Sequence, residues 1–513
     1  MTCVIGIDKG TSATKAVVFD AGCGRVLGEA SRPTRALHPR PGWHEEDMEA
    51  MFEGVVACIR GAVAEAGVAP EDVAAIGVSG HMGGVWALDA AGAPLGHAIA
   101  WPDSRAAGLL GEWEREGLVA RIGQVSGNAP IPGVPLALLA WLKRHEPERY
   151  GAIGTLFFAK DYVNYRLTGR RATDESDLSF FPCDTRARAL SPELLARAGI
   201  DEAADMLPEV LPTGAPVGPL TAEAADQLGL REGTLVVSGA GDAVAAALGA
   251  GATAPGQAVT VIGTSFMNNL TTDRPLTEPE GVGFLFLMPG GAWQRLMANT
   301  GGGTLCLDWA AEMFCGGLLE AEGGRGPAFF AALEREVAAV PPLARGLIAH
   351  PYLNTSGMSA PRFDPAARAS IYGLDTSTTP AEIVRAVMEG VAFSMRQCYA
   401  ALGAEVSEIR ITGGGARSAT WRAICAGVMD RPLRTIETEE TGALGVAMLG
   451  AVAAGAHADL AAATRAMVQT GADEVPDPAL VAAYARGAPL FDALGDALIP
   501  LWQHRARLLE GGA

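Results

Sequence analysis

The sequence predicts an α/β protein of two domains, and three observations carry that expectation. The run Gly-Thr-Ser occurs twice, at Gly10-Thr11-Ser12 and at Gly263-Thr264-Ser265. Each copy sits at a turn between apolar, β-branched runs, so a strand, tight turn, strand pattern recurs about half a chain later. Other β-rich runs end in Gly-rich turns, the places where an α/β scaffold sets its ligand contacts. At 513 residues the chain is too long for one core. The repeat spacing puts the boundary near Thr253 to Gly256, giving domains of residues 1–252 and 253–513.

The elements follow in order. After the first hairpin, residues 39–47 form a polar loop, and Met48 to Ala66 carries helical periodicity. A strand at Val73 to Val78 ends in Ser79-Gly80-His81-Met82-Gly83-Gly84, and Val85 to Leu88 then runs to a turn. Trp101-Pro102-Asp103-Ser104-Arg105 reads as a loop opening a helix. From Arg105 to Ala198 the pattern is mainly helical, broken at the Pro- and Gly-rich residues 126–133. A short buried strand, Leu235 to Ser238, delivers Gly239-Ala240-Gly241-Asp242 and an Ala-rich helix. Further on come a strand at Glu408 to Thr412, the turn Gly413-Gly414-Gly415, a helix from Thr420 and a last helical stretch, Val481 to Leu509.

Composition narrows the function classes. Hydrophobic residues make up 49% and charged residues 19%, as expected of a well-packed soluble protein. A net charge of −19 argues against nucleic acid or an anionic membrane as partner and leaves an anionic ligand to local donors, so a small molecule is expected. The start Met1-Thr2-Cys3-Val4 lacks a basic region, and Asp8 and Lys9 interrupt the apolar run, which speaks for the cytoplasm. Gly442 to His457 is uncharged but short of the ~20 strongly apolar residues of a membrane span, so it reads as a buried helix. The eight cysteines lack CxxC pairs and the eight histidines lack HxH or HExxH spacing, so reduced thiols and no zinc are expected.

The chemistry lies in the turns. A glycine lets backbone approach a ligand, and consecutive N–H groups with a hydroxyl form an anion-binding concavity. Gly10, Thr11, Ser12 and Lys15 on one side, and Gly263, Thr264 and Ser265 on the other, would hold a polyphosphate. Asp8, at the mouth of the first turn, is a candidate Mg²⁺ ligand, or else a turn residue satisfying its own backbone. Asp242 is either a helix N-cap or a general base that the helix N-terminus keeps ionised. The Gly413-Gly414-Gly415 turn offers a flat wall to a nucleoside. Together these residues meet the needs of phosphoryl transfer.

On these residues the chain resembles the FGGY family of carbohydrate kinases, in the actin, hexokinase and Hsp70 ATPase superfamily, over nearly its full length. Ile7-Asp8-Lys9-Gly10-Thr11-Ser12 is similar to the family's first phosphate motif, Gly241-Asp242 and Gly263-Thr264-Ser265 to its catalytic aspartate and second phosphate motif, and Gly413 to Ser418 to its adenosine motif. Gly42 to Asp47, Trp101 to Arg105, Lys160-Asp161-Tyr162, Leu167-Thr168-Gly169 and Thr173 to Asp177 resemble further landmarks in the expected order. The resemblance implies two actin-like (ribonuclease H-like) ATPase domains with a cleft between them. It implies sugar on the first and ATP on the second, and Mg²⁺ with the nucleotide. Asp242 would deprotonate a primary hydroxyl of the sugar. It leaves room for a homodimer.

Substrate residues are less uniform. Xylulose kinases of the family carry Gly-Gln-Met-His-Gly where this chain has Gly80-His81-Met82-Gly83-Gly84, so their sugar-contacting histidine is absent at Gly83. His81 is then either a different sugar contact or a structural histidine, with Met82 beside it. Asp103 could accept from two neighbouring hydroxyls, and Trp101 and Trp86 offer flat faces to a sugar or pack in the core. The expected substrate is a pentulose such as xylulose, with ribulose, erythritol, glycerol or gluconate as alternatives. A chaperone-like ATPase and a non-catalytic binding protein are the readings from other classes.

Overall fold

The computed structural model describes residues 2–299, 302–438 and 440–510. It divides into two compact units. The first comprises Met1–Pro255, Thr271–Gln294 and Glu440–Gln469; the second comprises Gly256–Leu270, Arg295–Glu439 and Thr470–Ala513.

The first unit is built on β1 (Cys3–Lys9), β2 (Ala13–Asp20), β3 (Val26–Pro33), β4 (Val73–Gly80), β5 (Pro216–Pro219) and β6 (Leu235–Gly241), in the sheet order β5-β6-β4-β1-β2-β3. β1 and β2 form the first Gly-Thr-Ser hairpin, whereas β1, β4 and β6 run parallel. The register pairs Asp8 with Ser79 and Gly80 with Gly241, so all three parallel strands end at one edge of the sheet. Ligands of open α/β sheets bind outside such carboxyl ends.

Helices cover the sheet. Met48–Ala66 forms as its periodicity predicts, with Asp47 accepting from Glu49 N and Ala50 N at its start and Gly67 in the left-handed conformation at its end. It buries Met51, Phe52, Val55, Ile59 and Ala62, the one-face spacing of a helix on a sheet. The uncharged stretch near 442 is the buried helix Thr441–Ala453. It lies so close to the strands that a Cβ on Gly6 would be 2.0 Å from the Ala443 carbonyl oxygen, and one on Gly77 2.3 Å from that of Val446. Only glycine permits this approach.

The second unit repeats the plan. Its strands β7 (Gln257–Ile262), β8 (Phe266–Thr272), β9 (Trp293–Asn299), β10 (Glu408–Thr412), β11 (Leu433–Ile436) and β12 (Thr470–Glu474) follow the order β9-β8-β7-β10-β11-β12. β7 pairs antiparallel with β8 across the second Gly-Thr-Ser turn and parallel with β10, as β1 does with β2 and β4. Helices Pro380–Ala401, Ala419–Met429 and Pro478–Glu510 accompany this sheet. Among the described residues no helix is long and apolar enough to cross a membrane.

Candidate active site

The carboxyl edge of the first sheet gathers most of the expected residues. Asp8 is the penultimate residue of β1, and its Oδ1 is a buried oxygen without a hydrogen-bond partner. Burial pushes its carboxyl above the ordinary range, and the charge of Glu440 adds to the rise. Gly10, Thr11 and Ser12 form the turn into β2 and reach solvent. Lys15 is directly across the hairpin from Asp8. Its ammonium is not free for phosphate as the sequence suggested, because Glu440 Oε1 holds it at 2.5 Å.

Asp242 opens the helix Asp242–Gly249 at the end of β6, and its Oδ1 accepts from Ala243 N at 2.7 Å. The helix start does not keep this carboxyl ionised. Burial, with the Asp8 carboxylate second, pushes it up to about 7, outweighing the backbone N–H. A group at that value takes up and gives back a proton near neutral pH.

Beneath Asp242 lies a feature the residues alone assign no role. The wholly buried Lys160 Nζ contacts Asp161 at 2.5 Å, Asp174 at 2.8 Å and Asp177 at 2.9 Å. Burial works against its charge, yet the three carboxylates hold Lys160 well above its usual range, and burial raises Asp161 and Asp177. Asp174 accepts from Ser176 Oγ at 2.7 Å, and that hydroxyl accepts the Gly241 N–H at 2.8 Å. The cluster thereby fixes the Ala240–Gly241 peptide, one residue before Asp242. Met82 is also there: a Cβ on Gly241 would be 2.6 Å from its sulfur.

The remaining substrate expectations divide. Trp101 stands 39% exposed and donates from Nε1 to Thr11 Oγ1 at 2.8 Å, tying the loop after Ala100 to the first Gly-Thr-Ser turn. Asp103, by contrast, is not a free polyol ligand. It is buried, and it accepts from His44 N at 2.7 Å and from Arg105 N, Nε and Nη2 at 2.8, 2.9 and 2.9 Å. Arg105 in turn stacks 3.7 Å over the Trp43 ring. His81 is structural: it is 1% exposed, with Nε2 at 3.2 Å from Glu46 Oε1. The other Glu46 oxygen pairs with the buried Lys9 Nζ at 2.9 Å, and that ammonium also donates to Gly10 O. Burial lowers His81, keeping the ring neutral. Trp86 is fully buried in the core.

The second unit carries the other motifs. Gly263, Thr264 and Ser265 turn from β7 to β8, Thr264 is exposed, and Gly263 O accepts from Thr304 N at the start of the helix Thr304–Phe314. A Cβ on Gly413 would be 2.6 Å from Ile262 O, so this glycine packs on β7. Gly414 and Gly415 instead line a cavity of about 730 Å³ with Leu307, Phe330 and Met388. Arg325 pairs with Asp308 at its rim and lies 5.5 Å over the Phe330 ring. Ser418 caps the following helix and donates to Glu334 Oε2 at 2.6 Å. The size and largely apolar lining suit a nucleoside.

Comparison with known proteins shows the family and the fold. The model of the N-terminal domain of the FGGY family of carbohydrate kinases matches residues 3–249, and that of its C-terminal domain residues 258–454. The L-xylulose/3-keto-L-gulonate kinase of Escherichia coli (strain K12) is 30% identical over 472 residues, covering 90% of each chain. The erythritol kinase of Brucella abortus (strain 2308) is 30% identical over 517 residues, covering 98% of each. A crystal structure of xylulose kinase from Rhodospirillum rubrum superposes with a TM-score of 0.85 at 31% identity, covering 98% of this chain and all of that one (100%).

Proposed function

The chain belongs to the FGGY family of carbohydrate kinases, and from that premise we propose that it transfers the γ-phosphate of ATP to a primary hydroxyl of a small acyclic sugar, a pentulose such as xylulose. Asp242 takes the proton from that hydroxyl as its oxygen attacks phosphorus, and Ser176 anchors the Gly241 N–H of the strand end that carries Asp242. The observation that carries this reading is that two carboxyls, Asp8 and Asp242, stand at the same edge of one sheet, at the ends of the strands on either side of β4, with Asp242 poised at about 7. Each Gly-Thr-Ser turn offers backbone N–H groups and hydroxyls suited to phosphate, and within the second unit the cavity at Gly414 and Gly415 has the size for the adenosine.

Mg²⁺ fits at Asp8, where a buried oxygen lacks a partner and one carboxylate suffices when phosphate and water complete the shell. Bound there, it would neutralise charge on the phosphates. Asp8→Ala is accordingly expected to weaken Mg-ATP use, read as a higher Mg²⁺ concentration for half-maximal rate. An unchanged Mg²⁺ titration would return Asp8 to the role of a turn residue.

Since a general base acts only when deprotonated, turnover is expected to rise with pH along an acid limb. Burial and Asp8 set that limb at about 7, and a cation on Asp8 offsets the second cause and moves it lower. A pH profile of kcat/KM flat from about pH 5 to 8 would exclude Asp242 as the base. The activity itself is tested by ADP release with Mg-ATP across ketopentoses, tetritols, glycerol, hexoses and sugar acids. Sugar-dependent turnover is the expected result, and sugar-independent hydrolysis would overturn the reading.

A further inference from the structure

We propose that Phe180 is a specificity-determining residue: with Trp101 it forms a rigid aromatic wall that the carbon chain of the acceptor lies against and that limits its length. This inference rests on the acceptor site proposed above.

The geometry runs round the site from one residue to the next. An acceptor whose hydroxyl is at Asp242 has the phosphate turn of Asp8 and Thr11 on one side, where the donor phosphates belong. The rest of the acceptor must run the other way, past Gly241 and the Met82 packed on it. Next comes Gly83, with φ +86, a conformation that side chains rarely adopt. A Cβ there would meet two atoms of the Phe180 ring and the Cβ of Trp101, each at 3.2 Å. The space beside Gly83 is therefore filled by the Phe180 ring and the Trp101 side chain.

Phe180 is held firmly. It follows the short helix Glu175–Leu178, which bonds to Gly241 through Ser176. Its neighbour Ser179 accepts from Asn128 Nδ2 at 2.8 Å and from Leu287 N at 2.7 Å. The ring is 5.5 Å from that of Phe284 and 5.9 Å from that of Phe286. Aromatic faces in this arrangement bind the C–H surface of a polyol but offer no partner to a hydroxyl, and a rigid wall rejects added length. Acceptors of four or five carbons fit this description better than six-carbon sugars.

The test is the ratio of kcat/KM for a six-carbon ketose to that for a five-carbon one, measured by ADP release in wild type, Phe180→Ala and Phe180→Leu. Phe180→Ala is expected to raise the ratio roughly 10-fold or more. Phe180→Leu, which keeps apolar bulk, is expected to stay near wild type. A ratio unchanged in Phe180→Ala, with wild-type activity on the five-carbon sugar, overturns the inference and leaves the proposed function standing. Should neither sugar, nor a tetritol, be phosphorylated by any of the three proteins, the acceptor-site reading falls and this inference with it. If Phe180→Ala fails to fold, Phe180→Val supplies the shortened side chain, with the same ratio as readout.

Discussion

Asp242→Asn is expected to lower kcat at least ~10²-fold, the low end for a positioned general base, while nucleotide binding and the fold persist. The amide keeps the shape and the contact to Ala243 N but cannot take a proton. The substitution should not cost stability. Because the carboxyl is raised to about 7 in the folded chain, its ionised form is disfavoured there relative to the unfolded chain. The resulting loss of stability sets in above the ordinary carboxylate range and is complete above about 7. Asparagine avoids that loss, so the variant is expected to melt at the same or a higher temperature than wild type at pH 8. A variant that is both inactive and less stable would point to a structural duty. Near-normal turnover would remove Asp242 from the mechanism.

The second large effect is on stability. Lys160→Met leaves Asp161, Asp174 and Asp177 buried without their cation, and breaking a buried ion cluster in this way costs about 3–5 kcal/mol. Thermal unfolding should show a clearly lower melting temperature, and activity should fall as the peptide before Asp242 loses its support. The deficit has a sign in pH. Burial already raises the Asp161 and Asp177 carboxyls; without the Lys160 charge they rise further above their unfolded values, so the unfolded chain binds fewer protons and stability falls as pH rises. The gap between variant and wild type is thus expected to narrow toward pH 5 and widen toward pH 8. An unchanged melting curve at pH 8 would show that the cluster contributes nothing to the fold.

What the sequence made legible was local. The Gly-Thr-Ser hairpins, the helix Met48–Ala66, the buried helix after Gly442 and the placing of Asp8 and Asp242 at strand ends all rest on short patterns of period and turn chemistry. What was not legible depends on partners far along the chain. His81 stayed open between a sugar contact and a structural histidine because its partner Glu46 is 35 residues away. Lys15 looked free because Glu440 is 425 residues away. Asp103 is the instructive case: its partner Arg105 stands only two positions on, so a tight carboxylate–guanidinium pair could have been read from Asp-x-Arg in a loop. The wall at Phe180 left no signal, since neither a phenylalanine pair nor a glycine shows which ring fills which space.

The return of the chain to the first unit has a consequence for how the protein is made. Residues 440–469 belong to that unit, and the helix Thr441–Ala453 closes over β1 and β4 through the glycines that no side chain could replace. During translation, the strands of the first sheet leave the ribosome long before this helix does, and the intervening residues of the second unit emerge between them. Folding from the N-terminus, the usual order for successive domains, cannot finish here. A nascent chain stalled before residue 440 would carry an open, glycine-lined groove, a binding place for chaperones or for the missing helix supplied as a separate peptide.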